Sequence, residues 1–370
     1  MQAQASAADR QAGPAPLAPL AALQFVAIAW VVLNQFRIHL GLHAGDRSGL
    51  VFKGYLGAEL FFVAAGFATA HGYARALAGH AFHYGAFLWT RLIRVYPLHL
   101  AMIAVMAALA GLAARAGAAY PHALFSLHGL VSNLLMIQAW GPEPSVSWNF
   151  PSWLISATWF AYVVFPLTAW LTLRLARPTL VAVIAPVALF AVLFQIAAAR
   201  GVLFTDMTAQ IGAAQTIPAF LFGAGLYRLW RERTAPSGWG AAVAAAAGAW
   251  IVAAALMRLS DLAIVPAFGA LTWGLAETAK GQRPALGEPL MLYLGRIALP
   301  MCLVYLPVDI VYFHAIARLF GQPAGALAWA AWAGVFPVIL AAAIAAHHLI
   351  QAPAQAWLAR LAPALTSGRY

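Results

Sequence analysis

Apolar runs of about 18 or more residues recur along almost the whole chain, each long enough to cross a hydrocarbon core of roughly 30 Å as a helix. Charge agrees with that pattern. Of the 370 residues, 64% are hydrophobic and 8% charged, against roughly 25% charged in an average soluble chain, and the mean hydropathy is +0.81. The sequence therefore predicts an all-α, polytopic integral membrane protein with about ten transmembrane helices, whose first partner is a lipid bilayer. Spans are expected near residues 17–37, 52–74, 95–117, 151–173, 178–199, 207–229, 238–257, 260–279, 289–315 and 325–350.

No unspanned stretch is large enough for a separate soluble domain. Residues 1–16, rich in Ala, Gln and Pro, read as a disordered tail, 17–353 as one membrane domain, and 354–370 as a cytoplasmic C-terminal tail. The tail carries Asp9 and Arg10 and lacks a basic start followed by a cleavable apolar stretch, so helix 1 is expected to stay in the mature chain. The single cysteine, Cys302, excludes an internal disulfide, and without paired cysteines no metal site is expected.

The net charge of +11 points to lipid rather than nucleic acid, because of where it sits. Basic residues fall in small groups without aromatic interleaving: Arg91 and Arg94, Arg174 and Arg177, Arg228, Arg231 and Arg233, Lys280 and Arg283. These groups follow the second, fourth, sixth and eighth spans, while the alternate loops carry fewer. By the positive-inside rule both termini face the cytoplasm, and the chain belongs in the cell inner membrane. Residues 80–90 read as an amphipathic stretch before Arg91. Residues 127–140 are apolar but too short to span, which fits a re-entrant or interfacial segment.

A polar side chain at the bilayer midplane is costly, so each one needs a reason. Helix 1 carries Gln24, Asn34 and Gln35, helix 2 Glu59, helix 9 Arg296 and Asp309, and helix 10 ends with His347, His348 and Gln351. Mutual pairing or bonds to freed carbonyls would account for any one of them.

The words around these residues form a series. GYLGAELFFVAAGF at 54–67, FLWTRLIRVYP at 87–97, WNFPSWLISATW at 148–159 and YLGRI at 293–297 together resemble the acyltransferase family 3 membrane proteins, in order and spacing from residue 20 to about 353. The resemblance implies transfer of an acyl group from acyl-CoA, acetyl-CoA for example, to a hydroxyl of a glycan or lipid-linked acceptor. No permanently bound cofactor is implied. The family's helix-1 arginine and histidine, eleven residues apart, align here with Gln24 and Gln35. A glutamine amide cannot accept a proton near neutral pH. The family's serine before Gly-Phe is Ala65, its helix-4 glutamate is Thr158, and its terminal Glu-x-Pro reads Gln351-Ala352-Pro353.

The resemblance places Arg91 and Arg94 at the acyl-CoA donor. Three residues apart on one helical face, their guanidinium forks suit phosphate oxygens, and they equally suit lipid headgroups. Glu59 keeps a carboxylate, either protonated or paired with a base. His39, one turn beyond Gln35, is a substitute base or an idle interfacial residue. Two functions therefore stand side by side, an acyltransferase and an inactive family member that serves as a membrane binding or scaffold protein. Secondary transport fits less well, because the chain has neither an internal repeat nor much buried charge.

Overall fold

The computed structural model describes residues 14–41, 49–79, 81–117, 122–141, 147–174, 179–200, 208–232, 236, 238–280 and 287–366. Most of the expected N-terminal tail, together with Arg177, Arg233 and Arg283, lies outside the described residues. Among the described residues all regular structure is helical. In chain order the helices are α1 (Ala18–Gln35), α2 (Gly57–Ala78), α3 (Tyr84–Arg115), α4 (Leu127–Leu134), α5 (Trp153–Val163) and α6 (Phe165–Ala169). They continue with α7 (Thr179–Ala199), α8 (Thr208–Glu232), α9 (Trp239–Leu256), α10 (Asp261–Thr278), α11 (Glu288–Phe320), α12 (Gly325–Ala346) and α13 (Ala352–Thr366).

A helix occupies each of the ten expected positions, but ten is too many for the spans. Among the described residues seven helices are long and apolar enough to cross a membrane, or eight when α5 and α6, bent by 60°, count as one. The shortfall lies in α8 and α10. α8 ends in Arg228, Arg231 and Glu232, and α10 places Asp261 and Glu277 inside 18 residues, so polar ends dilute both helices. The α5–α6 bend falls at Val164, just before Pro166, whose ring has no amide hydrogen to continue the ladder.

Helix α3 also starts earlier than expected. It runs unbroken from Tyr84 through Arg91 and Arg94. The arginines end the apolar window without ending the helix, since a helix can extend past the hydrocarbon and keep its own backbone bonds. The short apolar piece after it forms α4, capped by the Ser126 hydroxyl, which accepts from the Gly129 amide at 3.0 Å.

Helix α2 is the most enclosed span, and α1 and α8 pack on it. Small residues make the approach possible: a Cβ at Gly66 would collide with the Phe220 carbonyl, and one at Gly223 with the Val63 carbonyl. Helices α1 and α11 meet the same way, with Gly295 against Ala21. Toward lipid the bundle presents exposed Ile184 and Val192 on α7, Trp250 and Leu256 on α9, and Trp329 and Val338 on α12.

Candidate functional site: a cavity lined by arginines

Where α1, α2, α3, α11 and the end of α12 converge, they enclose a cavity of about 500 Å³. Helices α1, α3 and α11 line it from their N-terminal halves, through Gln24, Arg91 and Arg296, and the turn that follows α12 reaches it through His347. The cavity thus sits at the end of the bundle that holds the N-terminus of α1. The approach of α1 and α11 at Ala21 and Gly295 brings Gln24 and Arg296 to the same wall.

Three guanidiniums, Arg91, Arg94 and Arg296, line this space, with His71 and His347 beside them. No aspartate or glutamate is among its lining residues, and none of the three arginines has a carboxylate partner among the described residues. Arg91 sits instead in an aromatic cage, 5.2 Å from the Tyr73 ring, 5.5 Å from Phe87 and 5.0 Å from Tyr162. Cation–π contact steadies the guanidinium without neutralising it, and its Nε is buried without a hydrogen-bond partner. Arg94 and Arg296 are exposed and Arg91 half-buried, so three like charges share one opening, and an anion there would offset their mutual repulsion.

Helix α13 braces the same wall. The Arg94 carbonyl, in the α3 turn that contains Pro97, accepts from Gln351 Nε2 at 2.6 Å and from Gln355 Nε2 at 2.9 Å. Gln351 Oε1 in turn accepts from His347 Nδ1 at 2.8 Å across a single π turn, His347–Gln351.

The expected site residues are only partly brought together. Gln24, Arg91 and Arg94 share the cavity, and so does Ala65. Thr158 lies just behind it, beside Arg91 and Val95 in a very small void, and its hydroxyl donates to the Leu154 carbonyl of its own helix at 2.7 Å. Gln35 ends α1 and Glu59 sits buried in the first turn of α2, both outside the lining. His39 is roughly 20 Å or more from Gln24 along the helix axis. There its Nε2 lies 2.6 Å from Asp309 Oδ1 and its ring stacks on Phe313 at 3.5 Å.

The polar residues in and around the 148–159 motif are largely structural. Ser152 donates to Asn133 Oδ1 at 3.0 Å and accepts from Gln138 at 2.9 Å. Ser156 donates to the Met136 carbonyl at 2.8 Å, and Asn149 to the Leu303 carbonyl at 3.1 Å. His99, fully buried in α3, bonds the Asn133 carbonyl at 2.8 Å. These bonds fix the segment after α4 against α3, α5 and α11.

Fold and cavity define a multi-pass membrane protein with a cation-walled pocket at one end of its bundle. Residues 20–348 match the family model described as an acyltransferase domain, and the chain belongs to that family, acyltransferase family 3. No curated protein and no solved structure matches it.

Proposed function

We propose that the protein transfers an acyl group from acyl-CoA to a hydroxyl of a glycan or lipid-linked acceptor, and that the arginine-lined cavity holds the donor's phosphates. The observation carrying this reading is the set Arg91, Arg94 and Arg296 around one cavity without a lining carboxylate. Pyrophosphate and phosphate oxygens supply the missing negative charge, and guanidinium forks bind them in pairs. About 500 Å³ is within the range of small-molecule sites. With both termini cytoplasmic in the inner membrane, the cavity opens toward the compartment where acyl-CoA is made.

The test measures CoA release from acetyl-CoA by membranes containing the protein, compared with membranes containing Arg94→Ala. Protein-dependent release that falls with the variant supports the reading. Donor binding without release by any acceptor fraction favours the inactive scaffold, and absence of both contradicts the proposal.

A further inference from the structure

Resting on that acyl-transfer reading, we infer that His347 is the base of the cavity and that Gln351 holds it in the tautomer the reaction needs. Gln351 Nε2 faces the Arg94 carbonyl at 2.6 Å, and a carbonyl only accepts, so the amide nitrogen must occupy that side. The amide oxygen is thereby turned to His347 Nδ1 at 2.8 Å. That oxygen also only accepts, so the imidazole hydrogen sits on Nδ1. In the neutral ring the lone pair is then on Nε2.

His347 lines the cavity, is 8% exposed, and its Nε2 takes no hydrogen-bond partner among the described residues. The neighbouring His348 differs on each point. It is absent from the lining, and its Nε2 lies 3.1 Å from the Tyr293 hydroxyl. Backbone geometry makes the relay stiff, because His347 and Gln351 belong to one turn and both glutamines, 351 and 355, are anchored on the same α3 carbonyl. An amide that fixes an imidazole tautomer serves the same purpose as the orienting member of a hydrolytic triad.

The step balances with an acyl thioester and a hydroxyl compound. Nε2 takes the hydroxyl proton as the oxygen bonds to the thioester carbonyl carbon. The tetrahedral adduct collapses with cleavage of the carbon–sulfur bond, and the proton passes from Nε2 to the departing thiolate. An ester and a free thiol result, and the imidazole returns to its starting form. His347 thus supplies in this cavity the proton acceptor that Gln35, at the family's histidine position, cannot provide.

The experiment uses the full chain in detergent, acetyl-CoA as donor and an extract of the producing cells' membranes as acceptor, with donor binding and CoA release measured separately. His347→Ala is expected to lower release by ~100-fold or more while shifting acetyl-CoA affinity less than about threefold. His347→Asn, which keeps a donor toward Gln351 but has no basic nitrogen, is the second variant and should behave alike. Gln351→Leu should reduce kcat about tenfold with a smaller change in KM, since Gln355 still donates to the Arg94 carbonyl. A packing role alone predicts no such split between kcat and KM. Release retained by both His347 variants, or a wild type that binds acetyl-CoA and releases none, overturns the inference and leaves the donor site standing. A wild type that binds no acetyl-CoA overturns the donor site and this inference together.

Discussion

Gln351 donates to the Arg94 backbone carbonyl across 257 residues of sequence, at 2.6 Å. This one bond ties the end of the last span to the turn of α3 that carries the cavity arginines. Moving either element moves both the cationic wall and the imidazole beside it.

The caged Arg91 should matter for position as well as charge. Tyr162→Leu removes one wall of the cage, the ring at 5.0 Å, while keeping the guanidinium. Loss of that contact should weaken acetyl-CoA binding by about five- to tenfold, equivalent to roughly 1 kcal/mol, whereas Tyr162→Phe should bind as the wild type does. Equilibrium binding of labelled acetyl-CoA to both variants checks this.

A buried ion pair holds the scaffold. Lys53 Nζ lies 2.6 Å from Asp261 Oδ1, with side chains 12% and 5% exposed, and the Tyr55 hydroxyl donates to the same carboxylate at 2.9 Å. Lys53→Met strands a buried carboxylate and should cost about 3 kcal/mol, while Lys53→Met with Asp261→Leu should recover most of the loss. Thermal unfolding in detergent reads the difference, and a double variant no more stable than the single one would contradict the pairing.

The α2–α8 contact leaves no room for a side chain. Gly66→Ala forces the two helices apart at the Phe220 carbonyl and should lower stability by about 1–3 kcal/mol. Gly72, with open space around its position, should accept alanine without loss. The two melting curves, recorded side by side, separate close packing from general glycine sensitivity.

His39 and Asp309 form a dyad at the opposite end of α1 from Gln24, with side chains 23% and 22% exposed. Asp309→Asn should cost about 1 kcal/mol of stability and leave CoA release within about twofold of wild type. A loss of ~100-fold would make this dyad the base.

Much of this architecture was legible in the chain. Apolar runs marked a helix at each of the ten expected positions, but the count of spans was too high, because α8 and α10 carry polar ends that a run of apolar residues hides. Helix ends were less legible, since Arg91 and Arg94 interrupt hydropathy but not the α3 ladder. Of the site, Gln24, Arg91 and Arg94 could be placed from their motifs, and they share the cavity. Gln35, Glu59 and His39 belong to the same motifs or helix yet face elsewhere, because a shared word fixes spacing along a helix and not which neighbour covers each side. In sequence Arg296 is part of the 293–297 motif with no role attached to it, and His347 is only a polar residue at the end of the last span. Their nearness to Arg94 comes from the packing of α11, the His347–Gln351 turn and α13 against α3, which no local pattern encodes. The one local clue was the four-residue spacing of His347 and Gln351, which places them on one helical face.

The most direct measurement is equilibrium binding of acetyl-CoA to the purified protein at low and high salt, for the wild type, Arg94→Ala, and Arg94→Ala with Arg296→Ala. The account predicts saturable binding that weakens with salt, about tenfold loss for the single variant and ~100-fold for the double. Binding that is indifferent to both arginines, or no binding by the wild type, would contradict it.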